Sequence, residues 1–440
     1  MLLVFLFLAM SSLFISRVLY RTYLSPIGIF GLIWNGALAL FEARLIDYYP
    51  LSIEAYIAFI GSFVLFVFGA LVSTWPLVQL MQRSPISAYK SPFAMVLNPR
   101  RARQVLNILN LLSLVGLMLT TITFAQLVGW GALFDMSRVR DAMRNLEATE
   151  KLGGGIVGYL SSLLPLAAIL GGVYLVQAPS DWFRASLCLL ISLGQVLMSG
   201  SRALFIWTSV LFFTAYILTR AFVKRESLGR MIRPLLIGMV IFFVVFSSIG
   251  SRRFDTANYD VFFANVELPW SIMHAYSYFT AGFGAFSIHL DDPIYISVPG
   301  LHTLSPVVRM LARIDPGLVN GYSYATLLNY TVSREFVATP THTNVYTYLG
   351  ALFDDFNWWG VFFIPFSMGI LSGLVFYRLL VRSDFGTIGL YSLFCLQCVY
   401  SSMAIITHAN AILLSAFVLM AIRKYVSQQG RKCLKSAVCY

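Results

Sequence analysis

Charged side chains are the scarcest class in this chain. Asp, Glu, Lys and Arg make up 11% of 440 residues, against 58% hydrophobic residues. A soluble domain carries about 25% charge, so an ordinary water-facing surface is excluded, and the mean hydropathy of +0.77 agrees. Cysteine is sparse too, and the five present form no disulfide framework. Cys188, Cys395 and Cys398 fall in apolar runs, while Cys433 and Cys439 fall in a basic tail. Cys395-x-x-Cys398 has a metal-like spacing, but no second Cys or His pair lies near it, so it reads as buried free thiols. Also missing are HExxH, a phosphate-binding P-loop, GxSxG, and any GxGxxG in strand–helix surroundings. These absences remove the commonest zinc-peptidase, nucleotidase, serine-hydrolase and dinucleotide readings. No internal repeat is present, which disfavours a transporter. No basic stretch precedes the apolar start Met1–Ile15 and no A-x-A site follows it, so it reads as a retained helix rather than a cleaved signal.

What the chain has is long apolar runs. Ala55–Ser73, Ile108–Val128, Ala203–Leu218 and Leu235–Ile249 are long enough, or nearly so, to cross a hydrocarbon core of about 30 Å as helices. A β-barrel would show short alternating strands instead. The expected fold is an all-α polytopic membrane protein with about eleven transmembrane helices. They are placed near 1–16, 26–41, 54–75, 105–130, 155–177, 185–199, 203–219, 234–250, 358–377, 386–406 and 410–422. Three regions follow: 1–250 with eight helices, a large loop over 251–357, and 358–440 with three helices and a basic tail.

The net charge of +12 is sorted by loop, so it is no signal for nucleic acid. One alternating set of loops holds twenty of the 31 basic residues against only Asp181, Glu226 and Asp384. Basic loops mark the cytoplasmic side. The N-terminus is then outside, the C-terminus cytoplasmic, and Ser251–Asn357 outside. A full span at Trp270–Leu290 would invert every later loop. That stretch also carries His274 and His289, so it is expected as an interfacial or re-entrant helix. A smaller external segment, Gly131–Gly153, mixes four acids with four bases and suggests an amphipathic surface helix.

The outer loop holds nine carboxylates and four of the five histidines. Arg202 follows Ser199-Gly200-Ser201 at a helix junction and is either a snorkelling anchor or an anion-binding group. Arg252 and Arg253 follow the eighth helix directly. Guanidinium forks bind phosphate oxygens in a bidentate way, and the alternative partners are Asp255 and Asp260. Arg309 and Arg313 share one face if Ser305–Ile314 is helical. They make either a second anionic contact or a solvated face. The richest run has Arg334-Glu335, then Thr341-His342-Thr343-Asn344-Val345-Tyr346, then Asp354-Asp355-Phe356-Asn357. It leads into a helix with Pro365 and Gly369-x-x-x-Gly373. His342 or a carboxylate such as Glu335 could serve as base for a sugar hydroxyl, with arginine at the departing phosphate. Asp354-Asp355 reads first as a helix N-cap and otherwise as a divalent-metal pair. His408 and Asn410, at the last external turn, could join the site or simply satisfy one another.

Ser199-Gly200-Ser201-Arg202, the large loop after the eighth helix, and Thr341-His342-Thr343-Asn344-Val345-Tyr346 with Leu349-Gly350, Asp355-Phe356 and Trp359-Gly360 resemble the Wzy-type polysaccharide polymerases. The resemblance implies a GT-C-like glycosyltransferase of the bacterial inner membrane, acting on the periplasmic side. It joins repeat units carried on undecaprenyl pyrophosphate and needs no nucleotide sugar, cofactor or metal. It further implies a lipid-linked oligosaccharide donor and acceptor, and a chain-length regulator as partner. His342 and Glu335 stand as catalytic candidates. Arg202, Arg252, Arg253, Arg309, Arg313, Arg334, Asn344 and Tyr346 stand as pyrophosphate or substrate contacts. An O-antigen ligase shares this topology and donor, and a lipid-linked oligosaccharide flippase is the rival of another class. Replacing both Cys395 and Cys398 by Ser is expected to leave long-chain surface glycan unchanged; a loss reversed by added metal would overturn the free-thiol reading.

Overall fold

The computed structural model describes residues 1–83, 97–132, 156–199, 202–227, 229, 238, 270–291, 298–324, 326–327, 337–338, 342–343 and 346–427. The chain divides into two compact units. Unit one is Met1–Pro85, Gly250–Phe376 and Gln397–Ala409, and unit two is Ile86–Ile249, Tyr377–Leu396 and Asn410–Tyr440. The division is not sequential: the chain enters each unit three times.

Among the described residues, seven helices are long and apolar enough to cross a membrane: Leu2–Tyr20, Ile53–Gln79, Pro99–Gln126, Tyr159–Gln177, Pro179–Met198, Ala203–Val223 and Tyr348–Val381. Two shorter apolar helices, Pro26–Glu42 and Phe385–Tyr400, accompany them. This is a polytopic helical membrane protein. Leu3, Phe7, Met10 and Phe14 are exposed along the first helix at spacings of three and four. Such a row suits acyl chains rather than water.

Unit one contains α1 (Leu2–Tyr20), α2 (Pro26–Glu42), α3 (Ile53–Arg83), α9 (Trp270–Asp291), α10 (Ser305–Ile314), and α11 (Tyr348–Val381) through Phe376. It also holds a two-stranded antiparallel hairpin, β1 (Val337–Ala338) and β2 (His342–Thr343), in which Ala338 faces His342. Local chemistry starts α2: Ser25 caps it by accepting from the Gly28 amide at 3.2 Å, and Pro26 takes the first turn, where no amide partner is needed. The core is aromatic. Phe30 and Phe66 have ring centroids 4.2 Å apart, and Trp34 meets Tyr348 and Phe283 edge-on at 5.1 and 5.3 Å.

Glycine sets how closely the helices approach. A Cβ on Gly69 of α3 would fall onto the Phe366 carbonyl oxygen of α11, and one on Gly369 of α11 onto the Phe66 carbonyl oxygen of α3. Gly373 lies against Ser73 in the next turn. This is the small-xxx-small contact of membrane helices, with two backbones touching directly.

Unit two contains α4 (Pro99–Val128), α5 (Ile156–Ser161), α6 (Leu164–Gln177), α7 (Trp182–Ser199), α8 (Ala203–Leu218), most of α12 (Phe385–Tyr400), and α13 (Asn410–Val426). The most enclosed of them is α6, buried at almost every position from Leu164 to Val176. Gly171 lies against the Ala185 carbonyl of α7 and Gly172 against the Phe212 carbonyl of α8. At the foot of α6, Asp181 accepts from Tyr174 Oη at 2.7 Å and from Arg184 at 2.8 Å.

Several boundaries differ from the sequence reading. The run expected at 155–177 breaks at Ser162–Leu163, because Pro165 supplies no amide and its ring crowds the preceding turn. The run expected at 386–406 stops at Tyr400 and is followed by a 3-10 turn, Ile406–His408. The helix expected from 358 is present, and a shorter helical stretch from Tyr348 precedes it across the non-helical Asn357. The stretch Trp270–Leu290, expected as an interfacial or re-entrant helix, is one unbroken helix, α9, which packs into α2, α3 and the turn between them rather than lying on a surface, and it is not among the helices long and apolar enough to cross a membrane. Tyr276 Oη donates to the Leu40 carbonyl at 2.6 Å, Tyr48 bonds Thr280 at 2.8 Å, and the Ser52 amide donates to Ser287 Oγ at 2.9 Å. The amphipathic segment expected at 131–153 lies almost wholly outside the described residues, as does the helix expected at 234–250 and the basic tail from 428.

Gly369→Ala is expected to lower thermal stability in detergent by at least the roughly 1–3 kcal/mol typical of overpacking, because its clash is with backbone. Gly36→Ala, where a Cβ meets nothing within 4 Å, is expected to be near neutral. Equal melting of the two variants would contradict the backbone crossing.

Candidate functional site

Polar side chains gather in unit one where α9 ends and α11 begins. His289 lies in the last turn of α9, and Asp354 and Asp355 in the second turn of α11. Adjacent helical residues point about 100° apart, so the two carboxylates diverge. Asp354 bonds His289 Nε2, and both residues are buried, at 9% and 5% exposure. Asp355 instead accepts from two backbone amides, His302 at 3.0 Å and Thr303 at 2.7 Å. It therefore fastens the turn before α10 to the start of α11.

This geometry corrects both readings of Asp354-Asp355. They are neither an N-cap nor a metal pair, since they sit inside the helix and serve different partners. Among the described residues no group of three His, Cys, Asp or Glu could hold a metal. The break in the helix belongs to Asn357. Its backbone is left-handed (φ 54°, ψ −150°), and its Oδ1 accepts from the Trp358 amide at 2.7 Å. At that ψ the conformation is one that residues other than glycine rarely adopt.

The His289 ring packs on Tyr346 at 4.8 Å between centroids and on Phe353 at 6.4 Å. Tyr346 itself is buried. Both strands of the hairpin pack on α9, and β2 carries His342 four residues before the buried Tyr346. The structure thus brings the hairpin of His342 to the same helix as the His289–Asp354 pair. Thr407 Oγ1 donates to the Thr303 carbonyl at 2.6 Å, which ties the 3-10 turn of His408 to the same loop. Asn410 begins α13 in unit two.

The arginines fall in separate places. Arg309 and Arg313 lie one turn apart on α10, as expected from their spacing. Arg309 Nε donates to the Ser305 carbonyl at 3.3 Å, and the Arg313 guanidinium stacks 3.9 Å from the Tyr324 ring centre. Burial holds the Arg309 guanidinium below its usual range, and the nearby Arg313 adds to this while Tyr324 opposes it. Arg202 belongs to unit two, at the N-cap of α8, where its carbonyl accepts from the Ile206 amide at 3.1 Å. It is 5% exposed, so it is not a snorkelling anchor. Arg252, Arg253, Arg334, Glu335 and Asn344 lie outside the described residues, as does the side chain of His342. Cys188, Cys395 and Cys398 are buried free thiols.

Sequence reasoning missed the His289–Asp354 pair. A signal existed: a histidine in an apolar helix needs a buried partner, and Asp354, flanked by apolar residues, needs one equally. No protein-family model, curated protein or solved structure matches the chain.

Asp354→Ala removes a partner from a buried imidazole and is expected to cost about 1–3 kcal/mol of stability. His289→Phe and Asp354→Leu together are expected to cost less than the sum of the single changes. Strict additivity in a thermal double-mutant cycle would show that the pair is not coupled.

Proposed function

We propose that this chain is a membrane glycosyltransferase that joins undecaprenyl-pyrophosphate-linked repeat units into O-antigen or capsule-like polysaccharide. It would work at the periplasmic face of a bacterial inner membrane, with the N-terminus outside and the C-terminus in the cytoplasm. The observation that carries the reading is the hairpin of His342 held on α9, the helix whose last turn supplies His289 to the buried His289–Asp354 pair. At 5% exposure, His289 is enclosed by Tyr346, Phe353 and Asp354, which makes it a positioning residue rather than the base. His342 and Glu335 remain the groups for proton removal.

In this mechanism His342 takes the proton from an acceptor sugar hydroxyl as the oxygen attacks the anomeric carbon of the donor. The bond from that carbon to the pyrophosphate oxygen breaks, and the pair of electrons leaves with the pyrophosphate. Guanidinium donors stabilise the departing charge, and Arg202, Arg252, Arg253, Arg309, Arg313 and Arg334 are the candidates. Asn344 is the candidate on the sugar side, whereas Tyr346, buried and packed on the His289 ring, holds that ring in place. No metal enters this scheme, because arginines supply the positive charge. A chain-length regulator is the expected protein partner.

A deletion strain is expected to make core capped by a single repeat unit, with no ladder of longer glycan on a gel. Disappearance of the capped unit as well would replace the polymerase by a ligase if lipid-linked glycan pools in the periplasm, or by a flippase if it pools in the cytoplasm. Arg202→Ala, Arg253→Ala and His342→Ala are each expected to abolish the ladder at unchanged membrane protein level. For His342 the loss should be about 10²-fold or more.

A further inference from the structure

α10 is apolar on two opposite faces. Val308 and Ala312 point inward and pack with Leu301 and Val319 in a small core of their own. On the outer side Val307, Met310, Ile314 and, in the turn beyond, Leu318 are 38%, 55%, 70% and 59% exposed. The spacing of three and four puts Val307, Met310 and Ile314 in one stripe of the helix, and Leu318 is exposed in the separate 3-10 turn Pro316–Val319. The helix carries no carboxylate, and its only charges are Arg309 and Arg313. At about 100° per residue, Arg313 falls about 60° from Met310 at one edge of the stripe, and Arg309 falls between that edge and the buried face. The nearest carboxylate in sequence, Asp315, accepts from the Gly317 amide at 2.8 Å.

Position adds a second argument. The turn just before α10 is held by Asp355, at 3.0 Å from the His302 amide and 2.7 Å from that of Thr303. Asp355 lies two residues before the kink at Asn357, after which α11 runs on as a long apolar helix. α10 is therefore pinned beside the end of a helix able to span the membrane. An apolar row bordered by arginines and fixed at that level has the character of an interfacial helix.

We infer that α10 lies on the bilayer surface, with Val307, Met310, Ile314 and Leu318 in the acyl boundary and Arg309 and Arg313 against anionic phospholipid headgroups. Arg309 and Arg313 were considered above as pyrophosphate contacts. Their phosphate partner is then the bulk lipid of the membrane, which leaves the departing pyrophosphate to the other arginines; a soluble anion would give no reason for the apolar stripe.

The test uses the full chain with Cys433 and Cys439 replaced by Ser, reconstituted in nanodiscs of phosphatidylcholine with one quarter phosphatidylglycerol. A bimane label is placed at Met310→Cys, at Ile314→Cys, and at Ser323→Cys in the polar turn as control. Phospholipid carrying a shallow doxyl group is expected to quench the first two labels at least twofold more than the third, and aqueous iodide is expected to do the reverse. Removing phosphatidylglycerol should weaken the doxyl quenching, and Arg309→Gln with Arg313→Gln should abolish that dependence. Equal iodide quenching at all three sites would sink the proposal, since the stripe would then face water. Protection of Met310 and Ile314 from both quenchers would also sink it, because protein or a single bound lipid would be the cover. Doxyl quenching that ignores phosphatidylglycerol would overturn the headgroup part.

Discussion

The approach of α3 to α11 at Gly69 and Gly369 is the constraint on which unit one depends. Between helices in a bilayer the hydrophobic effect gives little drive, because acyl chains are as apolar as leucine. Association then rests on van der Waals contact and hydrogen bonds. Removing Cβ at two facing positions lets the Phe66 and Phe366 carbonyls approach the partner backbone. The same device recurs where Gly28 and Gly31 of α2 meet Ser16 and Ser12 of α1. Large aromatics then fill what the close crossings leave, with Phe30, Trp34, Phe59 and Phe66 packed around Tyr348 and Phe283. Close backbones and large rings are complementary choices: each glycine fixes the helix spacing that its neighbouring rings must fill.

With α11 held this way, its first turns become a rigid mount. Asp354 and Asp355 sit one residue apart on a helix and so cannot share a partner. One reaches back to α9 and the other out to the loop before α10. The kink at Asn357 separates this polar mount from the apolar part of the helix. Polar groups therefore stop where the apolar run starts, as a membrane boundary requires.

Much of this is legible in the sequence, and the residues show why. Apolar length marks most of the spans, and Gly369-x-x-x-Gly373 carries the small-residue spacing of a close helix crossing on its face. Arg309 and Arg313 fall one turn apart as their spacing requires. The failures share one cause, which is that burial of polar residues depends on partners far away in the chain. His289 argues against a buried helix only while Asp354, 65 residues on, goes unrecognised as its partner. The tyrosines of α9 mislead in the same way, since Tyr276 is satisfied by the Leu40 carbonyl, 236 residues away in the chain. Asp354-Asp355 looks like a helix start because a cap is a local motif, whereas their true partners are long-range.

Thr303 shows how these contacts combine. Its amide donates to Asp355 of α11, and its carbonyl accepts from Thr407 in the 3-10 turn. Both backbone groups of one residue are thus bound by side chains from two other segments. A buried amide or carbonyl left without a partner is costly, so the loop has strong reason to hold this one conformation. α10 begins two residues later, and its inner residues pack with Leu301 and Val319 from the flanking turns. Its orientation is therefore inherited from the clamp on Thr303 and not chosen by its outer face. That removes a common objection to an exposed apolar stripe, namely that the helix could simply roll to bury it. Rolling would expose Val308 and Ala312 and would work against the clamp that places the helix. The stripe stays outward because the inside is already taken, and what covers it has to come from the surroundings.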